Sequence, residues 1–168
     1  ASTVEYNGKM YVFGGYNGAY LNELWEYDLA NFTWIQRTSG ATARSSHAAV
    51  VNAGKMYIFG GGSTSPTHVN DLWECDLTTF TWTQKTSGAT VRASITAVVN
   101  AGKMYVFGGH NGSTYLSAFW ECDLTTFTWT SKTSGASARH GYTAVAYSGK
   151  MYLFGGWNGT TRFNDLWE

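Results

Sequence analysis

Three arginines recur in step along the chain: Arg44, Arg92 and Arg139. A guanidinium is a planar fork that grips a carboxylate through two parallel hydrogen bonds. A ring of such forks at one mouth would suit acidic peptides or other carboxylates. The competing reading is internal, with each arginine pairing to an acid or backbone carbonyl of a neighbouring unit. The histidines are His47, His68, His110 and His140. None makes the i, i+4 pair that puts two metal ligands on one helix face, so they read as loop residues and no metal is expected. Cys75 and Cys122 occupy the same Trp-Glu-Cys-Asp-Leu frame. Equivalent positions in stacked sheets lie about 10 Å apart, too far for a disulfide, so two buried free thiols are expected. No Gly-x-Ser-x-Gly elbow, phosphate loop or dinucleotide fingerprint occurs. No catalytic residue and no cofactor is expected.

The other candidate residues are aromatic and polar. Tyr16, Asn17, Tyr20, His68, His110, Asn111, Tyr115, Trp157, Asn158 and Arg162 lie in short segments rich in Asn and Gly. Aromatic rings beside amide side chains could bind protein or stack on sugars. Trp-Glu pairs recur at Trp25-Glu26, Trp73-Glu74, Trp120-Glu121 and Trp167-Glu168, as rim packing or as a sugar platform. Asn31, Asn111 and Asn158 begin Asn-x-Ser/Thr sequons, glycan acceptors in a secreted chain. At Asn111 and Asn158 a following Gly also signals a plain turn.

Something must position these residues, and composition narrows what. Aromatics are 17% of the 168 residues and charged residues 13%, the reverse of a disordered chain. Eleven basic and eleven acidic residues balance, without a basic block, so nucleic acid and anionic membrane are poor partners. Apolar runs stop at four or five residues, too short to span a bilayer. There is no leader pattern and no initiating Met, so the chain is expected to begin where it was processed or cut. No compartment is legible.

The dominant pattern is Gly-Lys-Met-Tyr-(Val/Ile/Leu)-Phe-Gly-Gly, present at 8–15, 54–61, 102–109 and 149–156. Self-similarity at about 47 residues marks a repeat architecture. A complete copy has four runs: a small-residue run such as Ala48-Ala49-Val50-Val51, the Met-Tyr-x-Phe run, Leu-Trp-Glu-x-Asp, and Phe-Thr-Trp-x-x-(Lys/Arg)-Thr. Short runs of β-branched and aromatic residues separated by Gly, Asn, Ser and Asp read as strands. The single Pro66 falls between runs and is expected in a loop. Continuous apolarity in the second run implies a strand covered on both faces. Four-stranded sheets covered on both faces and repeated in tandem are propeller blades. Small side chains in the first strand suit the axis, and tryptophans in the third and fourth suit the rim.

A Gly-Gly doublet, then an aromatic position, then Trp seven residues on resembles the kelch repeat. The residues are Gly14-Gly15 with Tyr27 and Trp34, Gly60-Gly61 with Cys75 and Trp82, and Gly108-Gly109 with Cys122 and Trp129. Cysteine replaces the expected tyrosine in two copies. The resemblance covers essentially the whole chain and implies an all-β, kelch-type β-propeller. It implies no single activity, because one scaffold serves many functions. The copper oxidases that share the kelch fold build their centre on a Cys–Tyr cross-link. Both cysteines here are repeat-equivalent outer-strand residues, so that chemistry does not carry over.

Four blades are expected, at about 1–40, 41–88, 89–135 and 136–168, with about 15 strands because the last Phe-Thr-Trp run is missing. Three outcomes follow: a piece of a longer kelch chain, a ring completed by other subunits, or a small or open propeller alone. In the first two, the free edge can dock a partner strand. From Leu24 to Gly60, Leu72 to Gly108 and Phe119 to Gly155 the interval is always 36 positions. From the doublet to the third strand it varies between 10 and 12. Insertions therefore fall in the second-to-third loops, on one face with the fourth-to-first loops that carry the arginines. Binding residues collect on such loops. The expected function is a non-enzymatic protein-interaction scaffold acting through this face and an open blade edge; the alternative is a carbohydrate-binding propeller.

Overall fold

The computed structural model describes residues 1–64 and 67–168, so the loop expectation for Pro66 lies outside the described residues. The described residues are all-β. The first sheet holds β1 (Ser2–Tyr6), β2 (Lys9–Tyr16), β3 (Tyr20–Asp28) and β4 (Thr33–Arg37). The second holds β5 (Ala48–Asn52), β6 (Lys55–Phe59), β7 (Leu72–Asp76) and β8 (Trp82–Lys85). The third holds β9 (Ala97–Asn100), β10 (Lys103–Phe107), β11 (Phe119–Asp123) and β12 (Trp129–Lys132). The last has β13 (Thr143–Tyr147), β14 (Lys150–Phe154) and β15 (Leu166–Trp167). Every sheet is an antiparallel meander in chain order. The innermost strands β1, β5, β9 and β13 lie side by side in that order, so the sheets fan out as propeller blades.

Local chemistry sets the turns. Ala53 and Gly54, at φ 48° and 77°, form the β5–β6 turn, with the same signs at Ala101-Gly102. Two successive positive φ values make the type I′ turn that matches strand twist. On the same side of the fan, Asp76 Oδ1 accepts the Thr78 and Thr79 N–H groups and closes the β7–β8 turn. Asp28 and Asp123 do the same in their blades.

The Gly-Gly doublet is a joint between blades. Gly61 N–H donates to Arg92 O at 2.8 Å, and a Cβ on Gly60 would sit 2.6 Å from that carbonyl. Only glycine allows this approach at φ 67°. At the rim, Trp82 and Trp129 pack directly against Gly40 and Gly88. Their Nε1–H groups donate to Thr38 O and Thr86 O of the preceding blade.

Each complete joint has the same two sides. Tyr11, Phe13 and Leu24 of the first blade meet Met56, Ile58 and Cys75 of the second. Tyr57, Phe59 and Leu72 meet Met104, Val106 and Cys122. Burying such sets supplies the main driving force, about 25 cal/mol per Å² of apolar surface. The expectation that the second strand is covered on both faces holds for β6 and β10. It fails for β2, which alternates, and for β14, where Leu153 alone is buried, because each end blade has one neighbour.

The repeated Trp-Glu glutamate anchors a cross-strand ion triad. Glu26 bonds Lys9 and Arg37, Glu74 bonds Lys55 and Lys85, and Glu121 bonds Lys103 and Lys132. Burial opposes ionisation of Glu74, but hydrogen bonds from Lys55, Tyr57 and Lys85 outweigh it and hold the carboxyl below its ordinary range. Glu168 pairs with Lys150 and is half exposed.

Candidate functional site

The arginines leave the candidate site. Arg44, Arg92 and Arg139 are 0% exposed, so none forms a charged mouth. Arg44 donates to both oxygens of Asp71 at 2.6 and 2.7 Å and to Gly60 O at 3.0 Å. Arg139 repeats this with Asp165 and Gly155 O. These forks staple the fourth-to-first loop to the start of the third strand within one blade. The internal reading therefore describes these arginines, except that the partners lie in the same blade and not in a neighbouring unit.

The remaining loop residues do come together. Short β-bridges join the segment after each arginine to both limbs of the second-to-third loop: Ser45–Gly62–His68, Ala93–His110–Tyr115 and His140–Trp157–Arg162. In the first blade Tyr16 pairs with Tyr20. Three repeat-equivalent columns result: Tyr16, Gly62, His110, Trp157; Tyr20, His68, Tyr115, Arg162; and Ser45, Ala93, His140. All three columns differ from blade to blade, beside turns and joints that are nearly identical.

The columns build a ladder of rings. His68 and His110 centroids are 4.9 Å apart, and His110 and His140 are 5.2 Å apart. Tyr115 stacks on His140 at 5.2 Å and meets Trp157 edge-on at 5.9 Å. A cavity of about 150 Å³ opens among His110, Thr114, Tyr115, His140 and Trp157. Among the described residues neither ring nitrogen of His140 has a partner, and both are buried. Burial, reinforced by the neighbouring His68 and His140, lowers the His110 pKa below the ordinary imidazole value. Glycines set the spacing: a Cβ on Gly112 would touch the His68 ring, and one on Gly159 would strike Tyr115 at 2.6 Å.

Of the expected residues, His68, His110, Tyr115 and Trp157 converge, with Arg162 bridged to Trp157 at the rim of the cluster. Tyr16 and Tyr20 form a separate pair 5.2 Å apart on the first blade. His140 joins the site although its sequence signal was slight, a residue after the repeated arginine that differs in every copy. Asn17, Asn111 and Asn158 mainly build turns. Asn111 Oδ1 accepts the Ser113 and Thr114 N–H groups, and Asn158 Oδ1 those of Thr160 and Thr161. Cys75 and Cys122 are free and fully buried, and burial pushes each thiol up to about 12. Among the described residues no group of three or more His, Cys, Asp and Glu is placed to hold a metal ion, and no helix is long and apolar enough to cross a membrane.

A larger cavity of about 260 Å³ lies away from this face, at the outer joint of the third and fourth blades. It is lined by Phe107, Gly135, Ala136, Leu153 and Trp167. In the two preceding joints the corresponding Phe13 and Phe59 carry Trp82 and Trp129 at 5.1 and 4.8 Å. The cavity is therefore part of blade packing.

Comparison with known proteins agrees with this architecture. The family model described as the KLHDC2/KLHL20/DRC7 Kelch-repeats domain matches residues 1–130 and 85–168. Human host cell factor 2 is 50% identical over 56 residues, 32% of this chain and 7% of that protein. Kelch domain-containing protein 3 of Bos taurus is 34% identical over 71 residues, 39% of this chain and 19% of that protein. Host cell factor 1 of Rattus norvegicus is 38% identical over 56 residues, 3% of its length. The chain thus matches less than a fifth of the length of these curated relatives. With the family model matching from end to end over four propeller blades, the chain belongs to the Kelch-repeat family.

Proposed function

We propose that this chain is a non-enzymatic interaction module that binds a protein segment across the loop face of its second to fourth blades. The observation that carries the reading is where the copies diverge. Turns, joints and ion triads are kept from blade to blade, while the three bridged columns change. Those columns put histidine, tyrosine and tryptophan around one ring-lined cavity. Aromatic side chains in a preformed concavity are typical binding anchors. Arg162 at the rim adds a cation for steering. The open edges of the first and last blades offer a second mode of contact, strand or blade addition.

The test is peptide display selected on the native chain, followed by affinity measurement on variants. Trp157→Ala and Tyr115→Ala are expected to weaken selected binders at least tenfold, as anchor truncations do. Thr125→Ala, in a turn on the opposite side, leaves affinity unchanged. Binders indifferent to both aromatic variants would place recognition elsewhere.

Sugar binding is the second reading, favoured by the Tyr115–Trp157 platform. The Asn111 and Asn158 carbonyl oxygens are committed to their own turns, which leaves fewer amide groups for hydroxyl recognition. A glycan array decides between them: saturable sugar binding lost in Trp157→Ala would replace the peptide reading.

A further inference from the structure

The third blade breaks a rule that the second and fourth obey. Asp71 Oδ2 accepts from both Arg44 Nη2, at 2.7 Å, and Trp73 Nε1, at 2.6 Å. Asp165 Oδ2 likewise accepts from Arg139 Nη2 at 3.0 Å and Trp167 Nε1 at 2.6 Å. One carboxylate oxygen thus bridges a guanidinium and an indole. The equivalent residue in the third blade is Ala118. Arg92 there is 0% exposed and, among the described residues, pairs with no carboxylate. It donates to Thr90 O, Gly108 O and Ala118 O at 3.1 Å and to Thr90 Oγ1 at 2.8 Å. Trp120 Nε1 is buried and has no partner among the described residues.

A buried charge without a counter-ion and a buried donor without an acceptor are each costly. Here both costs fall on one spot, because the same oxygen position serves both donors in the sister blades. We propose that Arg92 and Trp120 form a binding site for a single carboxylate group of formate or acetate size. The group takes the place of the aspartate side chain, with one oxygen between Arg92 Nη2 and Trp120 Nε1. Burial lowers the Arg92 pKa to about 10, still far above neutrality, so the fork stays cationic for its ligand. The carboxylate has two sources with the same chemistry, a free small anion or an acidic side chain of a bound chain. The site lies beside the second-to-third loop of the third blade and does not depend on the loop-face reading.

The test is thermal unfolding at constant ionic strength with sodium formate, sodium acetate, or a blocked Gly-Asp-Gly tripeptide. At roughly ten times the dissociation constant, the native chain's midpoint is expected to rise by about 3 °C. Ala118→Asp supplies the carboxylate internally, so its midpoint starts higher and does not respond. Trp120→Phe removes a donor that is idle without ligand, so the fold is kept while the formate response shrinks. A response to formate alone identifies a free anion; an added response to the tripeptide identifies an acidic side chain. Equal responses in the native chain and Ala118→Asp, or an undiminished response in Trp120→Phe, would overturn the site.

Discussion

His47 shows how one side chain can set the pH range of a fold. Its ring packs edge-on to Phe13 at 5.5 Å, within the first joint, and Ser2 Oγ hydrogen-bonds Nε2. Burial, with Arg44 nearby, lowers its pKa to about 3. The unfolded chain takes that proton near pH 6.5. Between those values the unfolded state holds more protons, so stability falls as pH falls. From pH 7 to pH 5 the loss is about 2 kcal/mol. The equivalent positions are Ile95 and Tyr142, so His47→Ile fits the joint and is expected to remove this loss. Denaturant titrations at pH 7, 6 and 5 measure it; parallel profiles for native and variant chains would refute the assignment. A second decline begins below about pH 4.5, where the paired carboxylates protonate. Asp165, held down to about 2 chiefly by the Arg139 hydrogen bond, is among the last to go.

At the scale of the element, strands and turns were legible because their determinants are local. Tyr57 and Phe59 alternate with Met56 and Ile58, and Asp76 caps its own turn. Side-chain direction in loops was not legible. Arg44 and His68 both sit in loops, and only the bridge geometry sends one into the blade and the other to the surface. Ala118 interrupts the Asp71 and Asp165 series in plain sight, yet its meaning depends on knowing that Arg92 points at it. The joints make a sharp prediction about glycines whose backbone is ordinary. Gly88 lies under Trp129, where an added Cβ would be 2.5 Å from the tryptophan Cβ. Gly135 is equivalent, but its nearest neighbour is the Trp167 ring edge at 3.1 Å, which can swing aside. Gly88→Ala is expected to cost about 1–3 kcal/mol through overpacking, and Gly135→Ala clearly less. Equal drops in thermal midpoint would show that the Trp129 contact does not hold the joint.

At the scale of the molecule, apolar surface is placed unevenly. Among the described residues every exposed large hydrophobic side chain except Val91 belongs to the first or last blade. Large exposed apolar patches mark contact sites, and these two have a known complement. Within the chain, Tyr11 meets Phe80 and Tyr57 meets Phe127 at 6.4 Å, alongside the Phe13–Trp82 and Phe59–Trp129 pairs. The last blade presents the unpaired first halves, Tyr152 and a 50% exposed Phe154; the first blade presents the second halves, Phe32 at 74% and Trp34 at 51%. The 168-residue chain is therefore expected to associate head to tail, first blade on last. Such a contact is heterologous, so each joint needs one intact end from each partner. Trp34→Glu and Phe154→Glu, both at exposed sites, should each give monomers by light scattering. An equimolar mixture should give a one-to-one dimer, since Phe154 of one variant can still meet Trp34 of the other. A face that paired with itself would leave one variant dimeric alone, and a native chain that stays monomeric at 100 times the concentration used for folding studies would show that blade packing needs a covalent neighbour.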